Sequence, residues 1–188
     1  IIEVKIDKEG KKIHIIDQGL GMTADEVEKY INQVAFSGAE EFLDKYKDSA
    51  KDSGIIGHFG LGFYSSFMVS DKVEVFTKSY KDEAEAVRWE CDGSPEYILE
   101  NVEKADRGTS IVMHLNEESL EFLEPDRIST VLQKFCKFLP VPIFFEDKQI
   151  NNPSPAWTKK PSELTTEDYQ NFYKELYPFS EAPLFWIH

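Results

Sequence analysis

Four strand-like runs between residues 71 and 115 limit the possible folds of this chain more than any other feature. Their sequences are DKVEVFTKSY, EAVRWEC, PEYILENV and GTSIVMHL, and polar turns separate them. Strands that follow each other through short polar turns pair antiparallel. We therefore expect an antiparallel sheet over this part of the chain.

The first 34 residues predict a hairpin followed by a helix. IIEVKI and KKIHII alternate or run apolar on either side of DKEG, a turn that ends in glycine. Thr23 and Glu26 have the spacing of a capping box, which marks a helix N-terminus. The apolar residues that follow recur at i, i+3, i+4 and i+7 and form one stripe on one face: Val27, Tyr30, Ile31 and Val34.

The middle of the chain predicts two more helices, a loop and a last strand. Residues 38–47 form a second amphipathic helix through Phe42 and Leu43, and KDSAKDSG after it is typical of a mobile loop. VPIFFED is the last strand. DRISTVLQKFCKFL restores a helical period with Asp126 as its N-cap, and its apolar side consists of Ile128, Val131, Leu132 and Phe135.

The composition changes at Asn151. NNPSPAWTKKPSEL holds three of the nine prolines and is typical of a linker. TTEDYQNFYKELY then predicts a helix with an aromatic stripe that needs a partner, and we expect the chain to end before it supplies one. The stripe consists of Tyr169, Phe172, Tyr173 and Leu176.

Charge and composition exclude several classes of partner. The net charge is -14, from 35 acidic and 21 basic residues, whereas a surface for duplex nucleic acid needs the opposite sign. Aromatic residues are too plentiful for a disordered chain, and no apolar run is long enough to cross a bilayer, so we expect neither nucleic acid nor membrane as a partner. Cys91 and Cys136 lack metal-ligand spacing and are expected to be reduced thiols, which fits a cytoplasmic protein.

The stretch GHFGLGFYSSF, residues 57–67, places three glycines where a polar loop becomes a helix. Backbone N–H groups at a helix start are unpaired and carry the positive end of the dipole, which favours phosphate binding. Glycine lets the backbone approach an anion closely. The alternative is a tight turn packed on the sheet, with Phe59, Phe63 and Phe67 in the core, and this stretch alone is too short to decide.

A second glycine cluster, IIDQGLGMT at residues 15–23, ends a strand with Asp17. A carboxylate at this place can accept a hydrogen bond from an exocyclic amine, and Met22 can form a soft apolar wall for a flat ring. The alternative is an Asx turn that closes the strand. In DRGTSIVMHL, Gly108 and Thr109 open a further strand, which means little by itself.

In their order and spacing, DQGLGMT, SGAEEF, GHFGLGFYSSFMVSDKVEV and DRGTSIVMHL resemble the nucleotide-binding domain shared by gyrase B, heat-shock-protein-90 chaperones, histidine kinases and MutL. GHFGLGFYSSF resembles the chaperone branch in particular, and AWTKKPSELTTEDYQNFYKELY resembles the start of its middle domain. The resemblance implies an α+β fold, a two-layer α/β sandwich of the Bergerat type with a mostly antiparallel mixed sheet and helices on one face. It divides the chain into a nucleotide-binding domain without its first helices (1–150), a linker (151–163) and the start of a middle domain (164–188).

The resemblance also implies a set of ATP- or ADP-binding residues. Asp17 would bond the adenine amino group, with Gly21 and Thr109 helping through water, and Met22 would line the base pocket. The phosphate loop would consist of Gly57, Phe59, Gly60, Leu61, Gly62 and Phe63.

The chain departs from the family pattern in three ways. Phe36 stands where the family usually has a basic residue, and His58 stands where it usually has Gln, so both departures concern phosphate contacts. The helix with the general-base Glu and the Mg²⁺-binding Asn would precede Ile1, and the catalytic Arg would follow His188. The chain begins IIEVKIDKEG, without Met or a leader, so we expect a piece of a longer protein that holds no catalytic or metal residue and does not hydrolyse ATP alone.

The expected function is therefore the ATP-binding part of an ATP-dependent chaperone that acts on unfolded client proteins and is a homodimer when intact. The piece itself is expected to self-associate, because an uncovered apolar sheet face tends to be covered. Two alternatives stay open: a nonenzymatic protein-binding module with the same fold, and a nucleotide domain like that of a sensor histidine kinase. A helix with Glu and Asn upstream of Ile1 would favour the chaperone ATPase.

Overall fold

The computed structural model describes residues 1–32 and 61–188. One sheet of eight strands, in the order β5-β4-β3-β6-β2-β1-β7-β8, organises this part of the chain. Its strands are β1 Ile2–Asp7, β2 Lys12–Asp17, β3 Ser70–Lys78, β4 Ala86–Cys91, β5 Ile98–Val102, β6 Gly108–Leu115, β7 Ile143–Phe145 and β8 Lys148–Gln149. The α-helices are α1 Ala24–Tyr30, α2 Pro125–Phe135 and α3 Thr166–Leu176.

The strand pairing confirms the predicted hairpin and the predicted antiparallel sheet. β1 pairs antiparallel with β2, and β3 pairs antiparallel with both β4 and β6. Among the described strands, β1 and β7 form the only parallel pair. β7, which follows α2 in the chain, therefore lies beside the first strand. The sheet is therefore mixed but mostly antiparallel, as the α+β expectation requires.

The alternation of side chains gives the sheet one apolar face and one charged face. Val73 and Val75 of β3 are 0% and 1% exposed, whereas Glu74 between them points to the opposite face. Val27 of α1 and Ile128 of α2 belong to the same buried cluster as Val73 and Val75. The helices therefore cover the apolar face, which confirms the two-layer arrangement.

Helix α1 begins where the capping box predicts. The Thr23 hydroxyl accepts from the Glu26 N–H, and the Glu26 carboxylate accepts from the Thr23 N–H at 2.9 Å. Glu26 also forms an ion pair with Lys81 at 2.8 Å, which ties the helix start to the turn after β3. Burial opposes the ionisation of Glu26, but the hydrogen bonds from Lys81 and Thr23 outweigh it and hold its pKa below the usual range. Val34, the last residue of the predicted stripe, lies outside the described residues, as do the predicted helix 38–47 and the loop after it.

Two details of α2 differ from the prediction. The N-cap is Glu124 and not Asp126, because Pro125 occupies the first helical position, where its missing N–H costs nothing. Asp126 lies in the first turn, where its charge suits the helix dipole. Phe135 was expected on the buried side, but it is 68% exposed at the last helical position, whereas Ile128 is buried.

The aromatic stripe of α3 finds a partner within the chain, contrary to the expectation. The Phe172 ring lies 5.9 Å from the Phe138 ring and 5.4 Å from the Trp157 ring, measured between centroids. The Tyr169 ring stacks on Trp186 at 5.2 Å. The partners are single aromatic residues in a turn, a short 3₁₀ helix (Ala156–Thr158) and the last residues of the chain, and such isolated residues form no periodic pattern in the sequence.

Candidate functional site

Three neighbouring central strands, β3, β6 and β2, begin or end side by side at the same end of the sheet. β2 ends at Asp17, β3 ends at Lys78, and β6 begins at Gly108. Thr77 lies directly opposite Thr109, and Ile16 lies opposite Ser110, which leaves Asp17 beside Thr109 at the end of the ladder. The alternation places Asp17, Thr109 and Thr77 in one row on the helix-covered face.

The Asp17 carboxylate closes the turn after β2. Its Oδ1 accepts a hydrogen bond of 2.7 Å from the Gly19 N–H, so the Asx turn that the sequence left open is present. Among the described residues, the Gly19 N–H is the only donor to this carboxylate. Its Oδ2 therefore has no protein donor there. The turn therefore orients the carboxylate and leaves one oxygen for another ligand.

Gly21 fits its position because the backbone comes too close for any side chain. Its φ is +62°, and a Cβ there would lie 1.8 Å from the Lys78 carbonyl oxygen. The neighbouring Leu20 carbonyl accepts from the Tyr80 N–H at 2.7 Å. The segment after β2 is thus packed directly against the end of β3.

Gly108 has the same role on the other side of the row. Its φ is +112°, and a Cβ there would lie 2.2 Å from the Asp17 carbonyl oxygen. This close approach is what brings the start of β6, and therefore Thr109, next to Asp17.

Met22 joins the row through its backbone. Its N–H donates to Thr77 Oγ1 at 2.9 Å, and its side chain packs against the buried cluster. Thr77 was not among the residues selected from the sequence. A signal was present, because a hydroxyl in phase with Val73 and Val75 must find hydrogen-bond partners once it is buried.

The predicted phosphate loop is described only in part. Gly57, Phe59 and Gly60 lie outside the described residues, as do Phe36 and His58. Leu61 is exposed, and a Cβ on Gly62 would meet no atom of the described residues within 4 Å. The Phe63 ring lies 5.6 Å from the Trp89 ring, so its side chain belongs to the aromatic core, as the tight-turn interpretation requires of this residue.

The element that follows the glycines is a 3₁₀ helix, Gly62–Met68, and not a regular α-helix. Serine hydroxyls donate to backbone carbonyls inside it, from Ser65 to Gly62 at 2.6 Å and from Ser66 to Phe63 at 2.7 Å. Such local side-chain bonds compete with α-helical geometry, which explains the tighter helix. Tyr64 donates to the carbonyl of Ile31 at 2.5 Å and ties this helix to the end of α1.

Residues 1–32 and 61–188 offer neither a metal site nor a membrane span. This part of the chain contains no group of three or more His, Cys, Asp or Glu side chains able to hold a metal ion. None of its helices is both long and apolar enough to span a bilayer. Cys91 and Cys136 are free and partly buried, and burial raises the pKa of the Cys136 thiol.

Comparison with known proteins gives two family matches. Residues 1–118 match the family described as histidine kinase-, DNA gyrase B-, and HSP90-like ATPase. Residues 143–188 match the family described as Hsp90 protein. The first match covers more than half of the chain and includes every described residue of the row at the strand ends.

Among curated proteins, the chain is similar to several bacterial relatives named chaperone protein HtpG. It is 57% identical to the protein of Porphyromonas gingivalis over 100% of this chain and 29% of the relative. It is 60% identical to that of Bacteroides fragilis over 94% of this chain and 28% of the relative. With the protein of Hydrogenovibrio crunogenus the identity is 42%, over 100% of this chain and 32% of the relative. The chain thus spans under a third of the length of these relatives, and it belongs to the HSP90 branch of the histidine kinase-, DNA gyrase B- and HSP90-like ATPase family.

Proposed function

We propose that this chain is the ATP-binding part of an ATP-dependent molecular chaperone. The observation that carries the proposal is the row of Asp17, Thr109 and Thr77, which two close glycine contacts hold at the end of three strands. Family membership supports it, because the matching family is one of ATPases.

The donors and acceptors at the row fit an adenine base. We infer that the free oxygen of Asp17 accepts from the exocyclic amino group and that the Thr109 hydroxyl and the Gly21 backbone bind the base through water. Met22, packed on the core at the start of α1, forms the apolar side. Leu61, Gly62 and Phe63, with Gly57, Phe59 and Gly60, are proposed as the phosphate loop through their backbone.

The intact protein is proposed to be an Mg²⁺-dependent ATPase. When bound, Mg²⁺ would neutralise negative charge in phosphoryl transfer, and the residue expected to hold it is the Asn that the family resemblance places before Ile1. The chain by itself is proposed not to hydrolyse ATP, and a phosphate-release assay on it checks this: turnover abolished by Gly62→Ala would contradict the proposal.

The remaining parts of the proposal concern the whole protein. We infer that it binds unfolded or partly folded clients, acts as a homodimer in the cytoplasm, and joins this domain (1–150) through a linker (151–163) to a middle domain that begins at 164. The relatives named as chaperones support this. The net charge of -14 agrees with a protein that does not bind nucleic acid.

Asp17→Asn in the full-length protein tests the adenine contact. Oδ1 of Asp17 is used by Gly19, so the amide places its NH₂ where the adenine amine should find an acceptor. We expect ADP affinity, measured by calorimetry, to fall about tenfold to a hundredfold, which corresponds to about 1.5–3 kcal/mol for a charge-assisted bond. The melting temperature should change little, because the amide oxygen can still accept from Gly19.

Asp7→Asn is the matched control, because Asp7 also ends a strand and accepts a backbone N–H with Oδ1, from the residue three positions on instead of two. Asp7 Oδ1 accepts from the Gly10 N–H at 2.9 Å at the opposite end of the β1–β2 hairpin. This variant should keep the parent affinity for ADP. If Asp17→Asn binds ADP as tightly as Asp7→Asn and the parent, Asp17 does not contact adenine.

A further inference from the structure

The Tyr64 side chain joins two segments that lie 33 positions apart in the chain. Its hydroxyl donates to the Ile31 carbonyl at 2.5 Å. Ile31 is the C-cap of α1, and the last carbonyls of a helix have no donor within the helix itself. The hydrogen bond therefore fastens the end of α1 to the element that follows the glycine stretch.

Tyr64 comes directly after the described residues of the proposed phosphate loop. Its backbone N–H donates to the Leu61 carbonyl at 3.2 Å and closes the turn over Gly62 and Phe63. The Phe63 ring lies 5.8 Å from the Tyr64 ring and 5.6 Å from the Trp89 ring. This turn thus has two anchors among the described residues: the aromatic core through Phe63 and helix α1 through the Tyr64 hydroxyl.

The other end of α1 is fixed beside the proposed adenine contacts. The Met22 N–H donates to Thr77 Oγ1 at 2.9 Å, and Glu26 in the first turn pairs with Lys81 at 2.8 Å. Val27 is 0% exposed, so the helix is also held by packing on the sheet. Seven residues at 1.5 Å each make α1 about 10 Å long. The helix is therefore a spacer of fixed length between the adenine end and Tyr64.

A spacer of this kind matters only for a ligand that reaches both of its ends. Such a ligand binds more tightly when the two sets of contacts are already held at the right separation, because less ordering is needed on binding. ADP would contact the base residues and the phosphate loop together. Adenosine has no phosphate, so its affinity does not depend on where the loop lies.

We propose that Tyr64 is a positioning residue whose hydroxyl, through α1, holds Leu61–Phe63 at a fixed distance from Asp17 and so strengthens the binding of the phosphates but not of the base. The proposal rests on the proposed function, since it concerns the same nucleotide site. Tyr64 acts through the backbone of the turn and through α1, without a contact of its own to the nucleotide.

The test is Tyr64→Phe in the full-length protein, with ADP and adenosine as probes in calorimetry. The variant keeps the ring and removes the hydroxyl. ADP affinity should fall about threefold to tenfold, the range for one hydrogen bond. Adenosine affinity should stay within about twofold of the parent, so that the ratio of the two affinities narrows.

Tyr97→Phe is the matched control, because a second tyrosine also reaches α1. The Tyr97 hydroxyl donates to Glu28 Oε1 at 3.4 Å from the start of β5, away from the phosphate loop. Ile143→Val is the control for stability, since it removes one methylene from a buried residue of β7. Both variants should keep the parent ratio of ADP to adenosine affinity.

Hydrogen exchange in the parent protein gives a reading that needs no variant and decides the question if Tyr64→Phe does not fold. With each ligand at saturation, ADP should slow amide exchange in residues 28–31 more than adenosine does, because only ADP holds the turn that Tyr64 joins to this end of α1. Equal slowing by the two ligands would overturn the inference.

The calorimetric outcomes separate the inference from the proposed function. If the parent binds ADP more tightly than adenosine, and Tyr64→Phe loses neither ligand or loses both by the same factor, the inference is wrong and the proposed function stands. The inference is also wrong if Tyr97→Phe narrows the ratio as much as Tyr64→Phe. If the parent does not bind ADP, the proposed function fails and the inference fails with it.

Discussion

The glycines of this chain differ in whether the surrounding backbone leaves room for a side chain. Gly21 has a positive φ and lies against the Lys78 carbonyl, whereas Gly62 has no positive φ and no atom of residues 1–32 or 61–188 close to its Cβ position. A residue of the first kind is fixed by the fold. The described residues do not impose that constraint on a glycine of the second kind, and the proposed phosphate loop supplies another reason for glycine there.

Alanine at each of the two positions tests this difference. Gly21→Ala should lower the free energy of unfolding by at least about 2 kcal/mol, because the Cβ collides with backbone in a strained conformation. Gly62→Ala should change it by less than about 1 kcal/mol. Urea unfolding measures both, and equal losses in the two variants would contradict the packing described here.

Gly62→Ala also tests the proposed phosphate loop. If its backbone lies close to a phosphate, a methyl group in the open space should weaken ADP binding about tenfold, the cost of one impaired charge-assisted bond. Calorimetry in the full-length protein measures the affinity. A variant with parental stability and parental affinity would remove Gly62 from the phosphate loop.

The strands carry a network of charges on the face away from the helices. Glu74 of β3 accepts from Arg88 of β4 at 2.7 Å and contacts His114 Nε2 of β6 at 2.5 Å. Arg88 also pairs with Glu90 and, at 2.8 Å, with Glu100 of β5. The network thus crosses four neighbouring strands, and the Glu74 side chain at its centre is only 10% exposed.

The pKa of Glu74 makes the sheet sensitive to acid. Burial opposes its ionisation, but hydrogen bonds from His114 and Arg88 outweigh this and hold the pKa below its ordinary value of 4.5. The unfolded chain therefore binds this proton more readily than the folded one. The stability contributed by Glu74 is present above the unfolded pKa and is lost as the pH falls from about 4.5 through the lower folded pKa.

Glu74→Gln should remove this part of the pH dependence. At pH 7 the variant should be less stable by about 1.5–3 kcal/mol, and below pH 4.5 its difference from the parent should shrink. Urea unfolding between pH 3.5 and pH 7 measures both effects, with the exposed Glu118→Gln as control. A difference that stays constant over this range would show that Glu74 does not carry a lowered pKa.

At the scale of the whole molecule, the sheet and the last helix are joined through a few specific contacts. Rings of Phe138, Trp157 and Phe172 lie 4.8 to 5.9 Å apart and form one cluster. Lys137 donates to the Glu175 carbonyl at 2.6 Å beside it. Asn151, the first residue of the predicted linker, has a buried side chain. Its Oδ1 accepts from the Ile143 N–H, and its Nδ2 donates to the carbonyls of Leu139 and Val141.

Phe172→Ala should loosen α3 without disturbing the sheet. The two lost aromatic pairs contribute about 1–3 kcal/mol together, so amide exchange in 166–176 should accelerate about fivefold to a hundredfold. Hydrogen exchange read by mass spectrometry measures this, and Phe179→Ala, at a residue that is 101% exposed, is the control. Faster exchange in β3 and β6 would mean that the cluster supports the sheet as well.

Much of the fold could be predicted from the sequence because it depends on local periodicity. Alternation identified β1 to β6, and the spacing of Thr23 and Glu26 identified the start of α1. Three of the candidate site residues in the described part, Asp17, Gly21 and Thr109, came from glycine-containing turns at strand ends and from the family resemblance. Their presence at the same end of the sheet follows from the pairing of β6 with β2 and β3, which the sequence did not predict.

What the sequence determined by itself was strands β1 to β7, the three α-helices and most of their pattern of burial, because each depends on residues a few positions apart. The tertiary structure alone decided contacts between residues far apart in the chain. It placed Thr77 between Met22 and Thr109, paired β1 with β7, and gave Phe172 its partners. Such contacts depend on which strands become neighbours and how closely their backbones approach, and no local period in the sequence records that distance.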